Sequence, residues 1–436
     1  MPLSLAWLDT RFWKLPLRSW LGLVLALFAL GAVGGAFFLH RRIVQHRPEH
    51  TFGVRDPAFF GSAHALSDPV PVAGNKIELL QNGDAIFPAM LGALRAAKKT
   101  INFEAYIFFS DGTGRQFRDV LCERARAGLE VRVILDGIGS GSKLANSDVK
   151  MLRDAGCRFA YFHPVRSWRA DRLDHRSHRR VCVIDGRLAF VGSAGFADPW
   201  SGHAQDQDHW RDLHARVEGP LVAKLQAAFQ DHWMQCRGEV LSGPDQFPAL
   251  PPAGALQAQT VSSHSFSVAT VPLVQAQAIA AAERSICITN AYFTPTPDQV
   301  DLLLKAVQRQ VEVRILLPGE HNDQPATKSA GRTAYGKLLE GGVKIYEYQP
   351  TMIHQKTLVV DGMFAMLGSS NLDSRSSQLN DELDVTVYDE AFGKQMETVF
   401  ENDLRSARLY TLEEFKKRSL WERFTEWLVI PFRSQL

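Results

Sequence analysis

Two histidines of this 436-residue chain stand in segments with the same spacing. The first segment, from His178, reads HRRVCVIDG, and the second, from His354, reads HQKTLVVDG. Both have the form His-x-(Lys/Arg)-x4-Asp-Gly and lead into an apolar stretch and a Gly-Ser pair. The residues after each histidine favour a strand, in which positions i and i+2 point to the same face. We therefore expect each histidine to share a face with its cation, Arg180 or Lys356.

The Asp-Gly pairs at Asp185 and Asp361 have the chemistry of a tight hairpin turn. The strand that returns from the second turn ends in Gly-Ser-Ser-Asn, at residues 368–371. Each hairpin is therefore predicted to bring small polar groups back to its histidine and its cation.

This set of groups suits the chemistry of phosphodiesters. One imidazole can attack phosphorus and form a covalent intermediate. A second imidazole can protonate the leaving oxygen and later deprotonate the acceptor. Lysine and arginine stabilise charge on the non-bridging oxygens. Because one histidine cannot be nucleophile and acid at once, we expect a single site between the two copies, with no metal and no cofactor.

The elements that must position these residues form a repeat. Apolar stretches alternate between helical and strand periods, which predicts an α/β fold. GLEVRVILDG in the first half matches QVEVRILLPG in the second, and AGCRFAYF matches GGVKIYEY. The period of about 180 residues is too long for a solenoid and indicates two similar lobes.

Composition narrows the functional classes. The formal net charge of +2 disfavours a nucleic-acid partner, and five cysteines without a CxxC pair disfavour a disulfide framework or a zinc site. Residues 20–39 carry no charge and as a helix would span roughly 30 Å. We predict a retained single-pass membrane anchor rather than a cleaved signal peptide, because no small-x-small cleavage site follows. Basic residues on both sides leave its orientation open.

These boundaries divide the chain into seven predicted segments. They are a basic N-terminal segment 1–19, a transmembrane helix 20–39, a linker 40–75, a first lobe 76–242, a linker 243–262, a second lobe 263–412 and a C-terminal amphipathic helix 413–436. The last segment suits either a helix lying in lipid headgroups or an ordinary terminal helix packed on its domain.

The two motifs resemble the HKD motifs of the phospholipase D superfamily, and residues 75–410 resemble bacterial cardiolipin synthases. The stretches that carry this resemblance include INFEAYIF, VRVILDGIGS, NAYFTP, LHARVEGP and GSSNLDSRSSQLNDEL. The resemblance implies two lobes, each a mixed β-sheet flanked by helices, with the active site between them. It also implies transfer of a phosphatidyl group between membrane phospholipids at the inner membrane of a bacterium. Phosphatidylglycerol is the expected substrate, and phosphatidylethanolamine is a second candidate.

The resemblance also assigns residues. Implied catalytic residues are His178, Arg180, Asp185, His354, Lys356 and Asp361; implied binding or orienting residues are Ser193, Ser369, Asn371, Glu382, Asp212 and Glu104. His178 is expected to be the nucleophile and His354 the general acid and base. Glu382, and Asp212 by the repeat, should each orient the histidine of the opposite motif. Asp185 and Asp361 are expected to set the turns and orient the lysine.

The first motif departs from the family at two positions. Arg180 replaces the usual lysine, and Gly195 replaces the usual asparagine after the return strand. Arginine keeps the charge but is planar and longer. An impaired member that only binds lipid therefore stays open as an alternative. A hydrolase that uses water as the acceptor also stays open, because its motifs would be identical.

Overall fold

The computed structural model describes residues 70–141, 143–164, 175–264 and 270–430, together with residues 20, 22, 25, 31, 49, 50, 52–57 and 59. The chain divides into two compact units, Met1–Gln45 and His46–Leu436. The predicted basic segment 1–19 and the last six residues of the predicted C-terminal segment lie outside the described residues.

The prediction of a single-pass membrane anchor, and of an inner-membrane location through it, is wrong. In the part of the chain that the structure describes, no helix is both long enough and apolar enough to cross a membrane. Of residues 20–39, only residues 20, 22, 25 and 31 are described. An uncharged apolar run permits a spanning helix but does not require one, so this sequence pattern was insufficient evidence.

The first half of the sheet is built by residues 72–218. Its strands are β1 (Val72–Gln81), β2 (Thr100–Ala105), β3 (Glu130–Asp136), β4 (Arg158–Phe162), β5 (Arg176–Ser177), β6 (Val181–Ile184), β7 (Leu188–Gly192) and β8 (Leu213–Glu218). Its helices are α1 (Asn82–Ala96), α2 (Gly112–Arg126), α3 (Asn146–Asp154) and α4 (Leu221–Arg237), with a 3-10 turn at Asp198–Trp200.

The second half begins after an irregular stretch at 238–255. Its strands are β9 (Leu256–Ser263), β10 (Ser285–Asn290), β11 (Glu312–Pro318), β12 (Lys344–Tyr348), β13 (Lys356–Val360), β14 (Phe364–Gly368), β15 (Asn380–Tyr388) and β16 (Ala407–Tyr410). Its helices are α5 (Thr270–Ala280), α6 (Pro297–Gln308), α7 (Pro325–Glu340), α8 (Ser374–Gln378), α9 (Glu390–Leu404), α10 (Leu412–Lys416) and α11 (Leu420–Val429).

All these strands belong to one mixed sheet. Its order is β16-β12-β11-β10-β13-β14-β15-β9-β1-β8-β7-β6-β2-β3-β4, and β5 pairs with β15. The antiparallel pair β1–β9 joins the halves. Counted outward from that pair, β1-β8-β7-β6-β2-β3-β4 has the same topology as β9-β15-β14-β13-β10-β11-β12. The predicted mixed α/β fold is confirmed.

The central strands are buried because helices cover the sheet. Every residue of β2 is buried, and only the first residue of β3 is exposed. Both strands are parallel neighbours, and their near-complete burial is expected for strands covered on both faces. This core holds rigid the strand ends from which the candidate site is built.

The two Asp-Gly turns connect β6 to β7 and β13 to β14. Asp185 and Gly186 have φ of 52° and 61°, and Asp361 and Gly362 have φ of 55° and 59°. Positive φ at both central residues is the geometry of a hairpin turn that follows the twist of its strands. The sequence pattern therefore marks the turns at the residues where the structure has them.

Candidate active site

Each motif histidine is attached to the other half of the chain through its own backbone. His178 lies between β5 and β6, and its N–H donates to the carbonyl of Asp381 on β15 at 2.9 Å. His354 lies just before β13, and its N–H donates to the carbonyl of Arg211 at 2.8 Å. The two histidines are therefore positioned by contacts between the halves and not only by their own strands.

Each imidazole also contacts a carboxylate of the other half. His178 Nδ1 lies 3.0 Å from both carboxylate oxygens of Glu382. His354 Nδ1 lies 2.8 Å from Asp212 Oδ2. The hydroxyl of Ser369 donates to Glu382, and that of Ser193 donates to Asp212. An Nδ1–H that donates to a carboxylate leaves Nε2 as the free, basic ring nitrogen.

A cation lies beside each imidazole. Arg180 donates from Nη1 to the carbonyl of His178 at 2.6 Å, and its Nη2 lies 3.1 Å from His178 Nε2. Lys356 donates from Nζ to the carbonyl of His354 at 2.6 Å, and Nζ lies 2.9 Å from His354 Nε2. All four side chains are buried. One cationic side chain therefore lies next to Nε2 of each histidine.

Both histidines line a single cavity of about 320 Å³. Asn371 also lines it, and the Oδ1 atom of its amide has no hydrogen-bond partner among the described residues. The other lining residues include Tyr106, Arg180 and Trp200 from the first half and Tyr292, Asp323, Thr327, Arg375 and Asn380 from the second. The cavity therefore presents two imidazoles, cationic groups and an unsatisfied amide oxygen to one ligand.

Burial and neighbouring charge keep both imidazoles uncharged at neutral pH. Burial, together with the charges of Arg180 and Lys356, holds the pKa of His178 well below its usual range. Burial, with the charge of Lys356, lowers the pKa of His354 to about 3. Burial also lowers the pKa of the Lys356 amine to about 7. A neutral imidazole is the form that can attack an electrophile.

The two orienting carboxylates differ. Burial raises the pKa of Glu382 to about 7. Burial alone would also raise the pKa of Asp212, but the hydrogen bond of His354 and the charge of Lys356 bring it below its usual range. Asp212 is therefore ionised over the whole neutral range, whereas Glu382 gains a proton just below pH 7.

Three residues assigned from the family resemblance contact neither the two histidines nor the carboxylates that hold them. The carboxylate of Asp185 accepts the backbone N–H groups of Lys98, Lys99 and Thr100 at 2.7–2.9 Å. The carboxylate of Asp361 likewise accepts three backbone N–H groups, at residues 283–285. The expectation that these aspartates orient the lysine is corrected, because their oxygens bind the two turns to the starts of β2 and β10.

The third residue, Glu104, is fully buried behind the site. It accepts a hydrogen bond from Ser177 Oγ at 2.6 Å and lies 2.6 Å from His232 Nδ1. His232 Nε2 lies 2.9 Å from Asp381, the residue next to Glu382. Glu104 thus supports the segment around His178 and does not face the cavity.

Sequence reasoning missed the aromatic residues at the histidines, which are Tyr106, Tyr292, Trp200 and Trp210. The rings of Tyr106 and His178 lie 5.0 Å apart edge-on, and those of Tyr292 and His354 lie 5.9 Å apart. Trp200 donates from Nε1 to Asp212 Oδ2 at 2.8 Å. The tyrosines carried a signal, since an Ala-Tyr pair stands at the end of β2 and recurs just after β10. Trp200 carried none, because its counterpart is absent from the second motif.

Gly195 is explained by that tryptophan. A Cβ atom at Gly195 would lie 2.9 Å from Trp200 Cζ3 and 3.0 Å from Ile107 Cβ. The indole therefore fills space next to the position where the family resemblance leads us to expect an asparagine. It also supplies an N–H donor to the carboxylate that holds His354.

Comparisons with known proteins by family model and by sequence point to the same family. The family described as "Cardiolipin synthase, PLD-like domain" matches residues 90–233 and 276–404. The chain is 33% identical over 354 residues to a probable cardiolipin synthase of Bacillus subtilis, covering 81% of this chain and 70% of that protein. It is 34% identical over 349 residues to cardiolipin synthase A of Pseudomonas fluorescens, covering 79% and 72%.

A solved structure resembles the fold. Phosphatidylserine synthase of Haemophilus influenzae superposes with a TM-score of 0.67 at 14% identity, and the match covers 86% of this chain and all of that one.

Proposed function

The chain belongs to the cardiolipin synthase family with phospholipase D-like domains and is a phosphatidyltransferase, and from this premise we propose how its two histidines divide the reaction. The donor is phosphatidylglycerol, and the acceptor is a hydroxyl of a second phosphatidylglycerol. Two lobes, 76–242 and 263–412, enclose the site between them. The observation that supports this proposal is the crossed pairing of His178 with Glu382 and of His354 with Asp212 over one cavity.

In the first step, Nε2 of His178 attacks the phosphorus of the donor. A P–N bond forms, and the bond from phosphorus to the headgroup glycerol oxygen breaks. His354 gives a proton to that oxygen, and glycerol leaves. Arg180 and Lys356 stabilise charge on the non-bridging oxygens. Glu382 holds the tautomer of His178 that keeps Nε2 free.

In the second step, His354 takes a proton from the acceptor hydroxyl, whose oxygen attacks the phosphohistidine. The P–N bond breaks, and cardiolipin forms. Because the unliganded pKa of His354 is about 3, the imidazole takes up the proton for the first step from solvent when the substrate binds. The anionic phosphodiester offsets the positive charges of Lys356 and Arg180 that lower this pKa, and Asp212 stabilises the imidazolium.

A donor with a good leaving group tests this division of roles. Nitrophenolate needs no proton to depart, so His354→Asn should still release a burst of nitrophenolate from phosphatidyl-p-nitrophenol. The same variant should be inactive on phosphatidylglycerol. His178→Asn should release neither nitrophenolate from phosphatidyl-p-nitrophenol nor glycerol from phosphatidylglycerol. A burst from His178→Asn and none from His354→Asn would reverse the assignment. His209→Asn, at a part-exposed histidine paired with Asp206, is the matched control.

A product assay tests the reaction itself. The purified chain in mixed micelles receives labelled phosphatidylglycerol with and without phosphatidylethanolamine. Cardiolipin that requires intact His178 and His354 is the expected product. Phosphatidic acid alone would mean that water is the acceptor. The absence of any lipid product would indicate an impaired enzyme and direct attention to Arg180 and Gly195.

A further inference from the structure

We propose that helix α11 docks this protein on an anionic lipid surface with its outward face. That face carries apolar side chains: Leu420, Trp421, Phe424, Trp427, Leu428 and Ile430, the last one following the helix. Leu420 is 84% exposed, Trp421 70% and Trp427 64%. The inference rests on the proposed function, in which both substrates are diacyl lipids.

The amphipathicity of α11 is inverted. A surface helix of a globular protein normally turns its apolar stripe toward the core. Here the inward positions are Glu422, Thr425, Glu426 and Val429, at the i, i+3, i+4, i+7 spacing of one helical face. Glu422 accepts a hydrogen bond from Arg332 of α7 at 3.3 Å, and Glu426 pairs with Arg418. One ion pair therefore joins the helix to α7 and the other joins it to the segment just before it, and the apolar residues are left to face outward.

The outward rings form a continuous ridge. Trp421 and Phe424 have ring centroids 5.8 Å apart, and Phe424 and Trp427 have centroids 6.2 Å apart. Tryptophan and phenylalanine on one face of a helix are typical of segments that lie in the headgroup region of a bilayer. A ridge of three rings offers a lipid surface much more apolar area than one isolated residue.

Charge favours an anionic surface. Lys416, Lys417 and Arg423 are exposed next to the ridge. Lys417 also contacts Glu413 at 2.6 Å, whereas the carboxylates of α11 itself are paired with Arg332 and Arg418. Cations beside an apolar face add electrostatic attraction to anionic headgroups.

The location of α11 connects this face to the cavity. Helix α7 lines the cavity at Thr327 and contacts Glu422 of α11 through Arg332. Five residues of helix separate these two positions, which is about 7.5 Å along the axis. Docking through α11 would therefore bring a membrane close to the site that takes lipid substrates.

Quenching by brominated lipid gives a readout local to α11. The full chain is mixed with vesicles of dibromo-phosphatidylcholine and phosphatidylglycerol in equal parts, and tryptophan fluorescence is compared with that of the Trp421→Phe/Trp427→Phe variant. We expect wild type to be quenched more than the variant, while both bind the vesicles because phenylalanine keeps the ridge apolar. Equal quenching of the two proteins would overturn the proposal.

A second variant tests the energetics. Trp421→Ser/Phe424→Ser/Trp427→Ser should lower the apparent affinity for these vesicles at least about tenfold. Its turnover of monomeric short-chain phosphatidylglycerol should match wild type. Met151→Ser, at another exposed apolar residue, should change neither the vesicle affinity nor the turnover of monomeric lipid. Unchanged vesicle affinity, with a dimer in gel filtration that the triple variant abolishes, would assign the face to a second copy of the chain.

The two proposals fail separately. If wild type turns over neither vesicle nor monomeric lipid, the proposed function is wrong. The quenching comparison still decides the docking surface, because it requires no catalysis.

Discussion

At the scale of single residues, the two histidines share a chemistry but not an electrostatic setting. Glu382, which holds His178, has a pKa raised to about 7 by burial. Lys356, beside His354, has a pKa lowered to about 7 by the same cause. The proposed mechanism needs Glu382 ionised and Lys356 charged. These two requirements overlap only near neutral pH.

The value of kcat/KM should therefore peak near pH 7. It should fall below pH 7 as Glu382 is protonated and His178 loses the favoured tautomer. It should fall above pH 7 as Lys356 loses its proton. Lys356→Arg should move the alkaline limb to higher pH, because a guanidinium keeps its proton and Arg180 already occupies the equivalent position. The profile is measured with phosphatidylglycerol over about pH 5–9. An alkaline limb that stays in place would contradict this account.

Gly195 and Trp200 should behave as a coupled pair. Gly195→Asn should cost about 1–3 kcal/mol of stability, because the new Cβ meets Trp200 and Ile107. It should also lower kcat by displacing the indole from Asp212. Trp200→Ala should relieve the strain, so the double variant should be less destabilised than the sum of the single changes. Denaturation midpoints and kcat of the four proteins test this, and additive effects would contradict it.

At the scale of elements, the aspartate of each Asp-Gly turn fixes the position of a whole hairpin. The carboxylate of Asp361 accepts three backbone N–H groups at the start of β10, and that of Asp185 does the same at the start of β2. Each aspartate thus fastens the histidine-bearing hairpin to a central strand. Its effect on the reaction is indirect.

Asp361→Ala should lower the free energy of unfolding by about 2–4 kcal/mol, because buried donors lose their acceptor and alanine disfavours the positive φ. Asp185→Ala is the matched change in the first half. The kcat of the folded fraction should stay within about twofold of wild type. Urea denaturation and active-site titration measure the two quantities. Unchanged stability with a lost kcat would instead make Asp361 a catalytic residue.

At the scale of the whole molecule, a buried histidine connects the halves behind the site. His232 contacts Glu104 of the first half at 2.6 Å and Asp381 of the second at 2.9 Å. Burial alone would lower the pKa of His232, but the two carboxylates raise it above the ordinary value. A charged imidazole between two carboxylates therefore stabilises the contact of β2 and β15 with α4.

His232→Gln should cost about 3–5 kcal/mol at low pH, because it leaves buried carboxylates without their partner. A raised pKa means that this stabilisation is fully present below the unfolded value of 6.5 and is lost as the pH rises through the folded value. The difference in free energy of unfolding between wild type and variant should therefore shrink with rising pH. Denaturation at several pH values tests this, and a constant difference would contradict it.

The sequence by itself determined what depends on local pattern. Apolar stretches that alternate between helical and strand periods, the Asp-Gly turns and the matched segments VRVILDG and VRILLPG predicted the α/β class, the hairpins and the repeat. The spacing from His354 to Lys356 predicted a cation beside each imidazole. These features arise within a few residues of one another, so the chain shows them before it folds.

Only the tertiary structure decided what depends on distant neighbours. The pairing of His178 with Glu382, 204 positions apart, and of His354 with Asp212, 142 apart, was expected only from the family resemblance, because no local pattern contains it. The indole of Trp200 beside Gly195, the contact of Glu104 with His232 and the ion pairs of the α11 carboxylates follow from how elements pack. The lowered pKa of Lys356 follows from burial, which no short segment encodes. Local turns and strands are set by backbone preferences, whereas charge, exposure and pairing are set by whatever the fold brings alongside.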